Sequence, residues 1–393
     1  MLVCNLSKNQ NRGNMKKTPF QKTTIGGIEV KNRIFRSATH ENMADKGGKV
    51  SGRLTQMYRD LSEGETGLII TGFMGFSKSD NLSPLTVLLK DDDSVNQLKE
   101  LTDMVHSYGT KIVTQISHVG SQITHGTPSG TVYAPSDVVD PVNGIQPTPF
   151  TINQIKELIE EFGEAALKAK KAGFDGVQIH GAHGYLLSKF LSPVYNTRED
   201  EYGGSPENNV RIIVGILKEI KAKCGQDYPV WIKLNCSDFG RDDSGLVYDD
   251  FIIAARTLSE NSLDAIELSG GTFTGTYSPC RTKKHETYHL DYAKKLKKEV
   301  DIPVILVGGV RSIDTLESVL ADTDIEAVSM CRPLIREPNL VKRWMAGDRK
   351  DAACIACNGC FNPNGTRCFF ELEGEEKENQ KVMMKMINSM SEK

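Results

Sequence analysis

The sequence predicts a (β/α)8 barrel, an α/β fold of the TIM-barrel type, followed by a short cysteine-containing C-terminal extension. Three observations predict it. Short β-branched runs recur eight times along 393 residues. Each run is followed by a helical pattern, and no long linker interrupts the alternation. A doubly wound open sheet is the competing architecture, but it would place a G-x-G-x-x-G turn after the first strand, and none follows Asn32–Arg36.

The expected strands are Asn32–Arg36, Gly67–Gly72, Lys111–Ile116, Phe174–His180, Val230–Asn235, Ala265–Gly270, Val304–Gly309 and Ala327–Arg332. They are continuous apolar runs, as expected of strands covered on both faces in a parallel sheet. Between them, Ser94 with Gln97 and Thr151 with Gln154 read as capping boxes, in which hydroxyl and amide each satisfy a backbone N–H. Ile152, Ile155, Leu158, Ile159 and Phe162 share one helical face, as do Leu54, Met57, Tyr58 and Leu61, and Ile212, Ile213, Ile216, Leu217 and Ile220. Gly109 and Gly173 stop helices. The long loops are Ser117–Phe150 and Gly271–Tyr288.

Residues 1–19 read as a flexible N-terminal extension, 20–346 as the barrel, 347–370 as a cysteine-rich segment and 371–393 as a polar tail or marginal terminal helix. Forty-eight Lys and Arg against 51 Asp and Glu leave a net charge of −3, which gives no footprint for nucleic acid. No apolar run approaches the roughly 18–20 residues of a membrane span. Met1–Lys17 lacks the apolar stretch of a signal peptide, so a cytoplasmic enzyme is expected. Four of the nine cysteines, Cys354, Cys357, Cys360 and Cys368, are packed together, which suggests metal or redox chemistry rather than a disulfide framework.

Chemistry in such barrels sits at the C-terminal ends of the strands. That rule selects Ser37, Ala38, Thr39 and His40 after strand 1, Gly72 after strand 2, and Gln115 and His118 at strand 3. It further selects His180, His183 and Tyr185 after strand 4, Lys233 in strand 5, Gly308 and Gly309 after strand 7, and Cys331 and Arg332 after strand 8. Loops after strands 7 and 8 often hold a phosphate, which glycine backbone and an Arg fork would favour; the plain alternative is a tight turn and a surface ion pair. His180 and His183 have the spacing to converge on one oxygen, and Tyr185 is a protonated phenol at neutral pH. A zinc pair is the rival there, without an H-E-x-x-H or an evident third ligand. Lys233 is a lone cation in an apolar strand, which implies a counter-ion such as Asp238, an electron-rich partner or a Schiff-base role.

These residues resemble the old yellow enzyme family of FMN-dependent ene-reductases. The stretch from His180 through Tyr185 to Ser205 matches its strand-4 signature almost throughout, and Asn32–His40, Gln115–His118, Lys233 and Cys331-Arg332 recur in its order. The resemblance implies FMN across the barrel mouth, with Ser37, Ala38, Thr39, His40, Gly72, Gln115 and Lys233 around the ring. It implies Gly308, Gly309, Cys331 and Arg332 at the phosphate. NADH or NADPH would reduce the flavin. A small activated alkene would bind its oxygen between His180 and His183 and receive its proton from Tyr185. His40 stands where some members have a redox-tuning Cys, and Cys331 where Gly is usual.

Cys354, Cys357, Cys360 and Cys368 further resemble the branch of 2,4-dienoyl-CoA reductase and trimethylamine dehydrogenase, which implies a [4Fe-4S] cluster. Their spacing is tighter than in that branch, and its FAD and NAD(P)H domains do not follow. A cluster or another metal such as zinc, a remnant of free thiols and, last, disulfides are the readings. The function implied is ene-reduction. The alternatives are an electron-transferring dehydrogenase or demethylase fed by an external partner, and a lyase using Lys233. A homo-oligomer stays open.

Overall fold

The computed structural model describes residues 16–391, apart from 124–127, 129, 241–243, 278, 282–285 and 363. The N-terminal extension lies mostly outside the described residues. Eight parallel strands close into a barrel in chain order: Ile34–Arg36, Leu68–Met74, Lys111–Ile116, Gly176–Gly181, Val230–Asn235, Ala265–Ser269, Val304–Val307 and Ala327–Met330. Every expected strand is present. The second runs two residues beyond Gly72, through a register shift between Ile70 and Phe73.

One rule explains both core layers. Alternate strand residues face opposite sides. Ile69, Ile112, Ile232, Ile266, Leu306 and Val328 pack outward with the helices. Phe35, Leu68, Val113, Trp231, Ala265, Ile305 and Ala327 pack inward as a separate hydrocarbon cluster. That inner cluster is plugged at one end by the hairpin Thr23–Ile25 and Ile28–Val30. Its two-residue turn, Gly26-Gly27, has φ +50° and +81°, the mirror-image turn that tight hairpins require. Trp231 Nε1 donates to Gly26 O at 3.0 Å, fastening the plug. Only the opposite, C-terminal end of the strands remains for chemistry.

The helices follow the expected faces, except that Ile152, expected to share a face with Ile155, Leu158 and Phe162, is exposed at the helix start. Leu54, Tyr58 and Leu61 are buried in Gly52–Glu63, and all five named residues of Arg211–Cys224 are buried. Thr151 and Gln154 form the expected capping box. The other box differs. Asp91 caps the helix Asp92–Ser107, with Ser94 as its reciprocal partner, while Gln97 bonds Asp93 instead. A carboxylate three residues earlier wins the cap because it accepts more strongly than a hydroxyl and meets the helix dipole.

Residues 352–362 and 364–372 lie across the barrel end. Ala352 N donates to Arg311 O at 2.8 Å and Thr366 N to Glu41 O at 2.7 Å. The expected polar tail forms the helix Gly374–Ser391. Its Gln380 is buried and donates to the carbonyls of Gly359 and Phe361 at 3.0 and 2.6 Å. No helix among the described residues is long and apolar enough to cross a membrane.

Candidate active site

Above the hydrocarbon plug the inward rows turn polar. Trp231 is followed two residues on by Lys233, Ala265 by Glu267, Ala327 by Ser329, and Phe35 by Ser37. Register sets Lys233 beside Glu267 on one side and His180 on the other. Lys233 Nζ stands 3.3 Å from Glu267 Oε2 and donates to Ser37 Oγ at 2.9 Å. Ser37 and Ser329 each donate to Glu267 Oε1, at 2.7 and 2.6 Å, and Gln178 donates to Oε2 at 2.8 Å. Gln115 donates to Gln178 Oε1 at 2.7 Å. Burial opposes the charge on Glu267, but Lys233 and the three donors outweigh it and hold the carboxyl below its ordinary range.

Lys233 thus pairs with Glu267 rather than Asp238. Asp238 instead accepts from Asn235 Nδ2 at 3.0 Å and Leu246 N at 2.9 Å. Sequence reading missed Glu267, Gln178 and Ser329. The signal was available: Glu267 breaks the apolar run Ala265–Ser269 as Lys233 breaks its own.

The fourth strand ends in a turn that groups the imidazoles and the phenol. His183 has φ +65°, a conformation seldom adopted outside glycine, and its N–H donates to Asn235 Oδ1 at 3.2 Å. The His180 and His183 rings stand 5.3 Å apart, edge to face, and His180 lies 4.9 Å from the Tyr185 ring. His180 Nδ1 is buried without a hydrogen-bond partner. His183 Nε2 is within 2.7 Å of Ser269 Oγ. Burial, then Lys233, holds His180 well below its usual pKa; burial, then His180, Lys233 and His289, does so for His183. Burial pushes the Tyr185 phenol up to about 12, against a hydrogen bond from Gln122.

Other expected residues fare differently. His118 is buried and neutral, depressed to about 3 by burial, and bonds Ser79 Oγ at 3.0 Å and Gly120 N–H at 3.0 Å. It is a structural residue of the third strand's end. Gly72 N–H donates to Glu41 Oε1 at 2.8 Å, an oxygen shared with Arg36 and the Tyr58 hydroxyl. His40 stacks 4.3 Å from Phe73, and its Nε2 is 3.1 Å from Thr86 Oγ1. Phe73 in turn lies 5.6 Å from Tyr185.

At strands 7 and 8, Gly308 and Gly309 have φ +132° and +82°, and a Cβ on Gly308 would stand 2.8 Å from the Tyr288 ring. Only glycine fits at Gly308, because the Tyr288 and His289 rings pack against its bare Cα. Arg332 Nη1 donates to Arg281 O at 2.8 Å and Asn358 Oδ1 at 2.6 Å.

Residues 19–351 match the NADH:flavin oxidoreductase / NADH oxidase family. The chain belongs to that family. It is 35% identical over 358 residues to an NADH oxidase of Thermoanaerobacter brockii, covering 90% of this chain and 54% of that protein. It is 32% identical over 320 residues to an NADPH dehydrogenase of Geobacillus sp., covering 81% and 91%. A 2-naphthoyl-CoA reductase complexed with 2-naphthoyl-CoA aligns with TM-score 0.82 at 26% identity, over 92% of this chain and 58% of that one. An old yellow enzyme homologue of Zymomonas mobilis, at 24% identity and TM-score 0.72, shares the fold. The chain therefore spans little more than half the length of two of these relatives.

Family membership makes the protein a flavin oxidoreductase, with FMN and a nicotinamide nucleotide as its cofactors. The site suits FMN on three counts. Gly308 and Gly309 end the seventh strand with left-handed φ, Arg332 brings a guanidinium fork to the end of the eighth, and Lys233 keeps a donor beyond those given to Ser37 and Glu267.

Cys354, Cys357, Cys360 and Cys368 all line one recess of about 320 Å³, partly open solvent, beside Arg332. Cys354 Sγ accepts from Ala356 N–H at 3.5 Å, and Arg336 Nη1 stands 3.8 Å from Cys368 Sγ. Among the described residues no three His, Cys, Asp or Glu side chains are gathered to hold one metal ion.

Proposed function

We propose that the protein uses NADH or NADPH to reduce the activated C=C bond of an enone or enoyl-type substrate. The grouping of His180, His183 and Tyr185 on one turn beside Lys233 is the observation that supports it most. Bound FMN would supply the hydride. The residues to hold it are Ser37, Ala38, Thr39, Gln115 and Lys233 at the ring and Gly308, Gly309, Cys331 and Arg332 at the phosphate. His40 and Gly72 contribute to the wall behind Phe73, through Thr86 and Glu41.

The chain's own part is positioning and proton chemistry. A fixed cation at Lys233 favours negative charge on the ring it faces. A substrate oxygen at the imidazole pair would take a hydrogen bond from the His180 ring and contend with Ser269 for His183. Two neutral donors there stabilise an oxyanion that forms as the double bond is reduced. Tyr185, with its pKa near 12, keeps its proton until a carbanion takes it. The 2-naphthoyl-CoA reductase alignment supports the enoyl thioester end of the substrate range.

Rapid mixing of the flavin-loaded chain separates the two half-reactions. Tyr185→Phe should slow oxidation by an enone by about 100-fold or more while reduction by NAD(P)H is unchanged. Equal loss in both halves would remove Tyr185 as the proton donor, and a chain that binds no FMN would remove the whole reading. The recess of four cysteines favours a second reading, an electron-transferring dehydrogenase or demethylase with an external partner. Iron and sulfide analysis of anaerobically purified protein decides it. Schiff-base chemistry is disfavoured, since Lys233 Nζ is engaged by Glu267 and Ser37.

A further inference from the structure

Asn358 joins two parts of the molecule. It belongs to the cysteine segment, between Cys357 and Cys360, yet its side chain reaches the end of the eighth strand. Its Oδ1 accepts from Arg332 Nη1 at 2.6 Å, and its Nδ2 lies 3.5 Å from Cys280 O in the sixth-strand loop. The residue is 1% exposed and Arg332 is 9% exposed, so solvent does not compete for this bond. The backbone is shaped to make the reach. Asn358 has φ +59° and Ala356 φ +54°, two left-handed residues within one turn of cysteines. Asn tolerates that conformation better than most residues.

A guanidinium has five N–H donors but many rotamers on its long stem. At Nη1, Arg332 is tied from both sides, by Arg281 O and Asn358 Oδ1. The rest of the fork is then fixed in direction without losing charge, because both partners are neutral. An acidic residue in place of Asn358 would hold the fork equally well but would spend its charge on itself.

We propose that Asn358 is a positioning residue for flavin binding: it aims the Arg332 fork at the FMN phosphate, so that the cysteine segment takes part in cofactor retention. The inference rests on the flavin reading above. It makes the extension part of the cofactor site rather than an appendage, and it holds whatever the cysteines bind.

The test compares FMN with riboflavin, which has the same ring and no phosphate, on the flavin-stripped full chain by fluorescence quenching. The left-handed φ makes glycine the mildest replacement, so the variant is Asn358→Gly. Its preference for FMN over riboflavin should fall about tenfold, the usual scale for a hydrogen bond to a charged group, with riboflavin affinity unchanged. Arg332→Gln should abolish the preference, and the double variant should be no worse than Arg332→Gln alone. Asn358→Asp keeps the bond and the fold but offsets the fork's charge, so it too should lose FMN preference. Parallel loss of both ligands in Asn358→Gly, or an undiminished preference for FMN in that variant, overturns the inference. Failure of the unmodified chain to bind either ligand would instead overturn the flavin reading.

Discussion

At the barrel mouth, Lys233, Glu267, Gln178, Ser37 and Ser329 come from or directly follow five different strands, and each bonds to another of the group. In the extension, Asn358, Thr366 and Gln380 each reach across a gap from a turn or a terminal helix to carbonyls or a single side chain. The first arrangement is set by backbone register and would survive small shifts of any one residue. The second depends on individual side chains. Charge follows the same division: the mouth buries an ion pair and neutral imidazoles, while the extension buries thiols and amides. The mouth is therefore built to hold electrostatics in place, and the extension to be held in place by it.

The largest expected effect breaks the mouth. Glu267→Gln keeps the shape but leaves Lys233 buried without its counter-charge, and should cost about 3–5 kcal/mol in denaturant unfolding. Adding Lys233→Met should recover most of it, since an apolar side chain needs no partner. A loss below about 1 kcal/mol for the single change would mean that the serines and Gln178 alone neutralise the site. No substitution in the extension should approach this magnitude.

Acid should sharpen the contrast. His118, His180, His183 and His289 all have folded pKa values depressed by burial, His118 and His289 to about 3. Below the unfolded value near 6.5 the unfolded chain takes up protons that the native chain refuses. The histidine contribution should thus be intact above pH 6.5 and fall as pH drops, by about 1.4 kcal/mol per pH unit for each histidine still neutral in the fold. Asp80, raised to about 8 by burial, and Asp238, raised likewise, work in the opposite direction and offset part of the slope. The extension contains no histidine. Fluorescence of Trp231, under the mouth, should therefore change with the global acid transition. An acid transition confined to residues 352–391 would contradict the assignment.

The same division explains what could be read from sequence. Eight strands were legible because a strand covered on both faces must be continuously apolar, and Lys233 stood out because it violated that rule. Glu267 violated it too, but pairing the two needed the register between strands five and six, which no local pattern encodes. Asp238 was nearer in sequence and was the natural guess. The Asp91 cap is masked in the sequence by a hydroxyl–amide pair, Ser94 and Gln97, of the same spacing three residues later. In the extension, composition exposed the cysteines but not Asn358 or Gln380. Their importance comes from two left-handed residues and a terminal helix, and amides in a polar stretch carry no signal of burial.

The smallest expected effect tests whether the extension is held as weakly as its contacts suggest. Gln380→Ala removes two hydrogen bonds and leaves the carbonyls of Gly359 and Phe361 short of a donor, for about 1–2 kcal/mol. Because those carbonyls flank Cys360, the loss should fall on local opening of residues 354–368, seen as faster amide exchange there with the barrel strands unchanged. FMN preference should drop slightly through Asn358, by less than in Asn358→Gly. Faster exchange in Val230–Asn235 and Ala265–Ser269 as well would show that the terminal helix and the mouth open as one unit. The extension would then be a wall of the barrel, as rigid as the strands it covers, and the contrast between the two regions would be one of composition only.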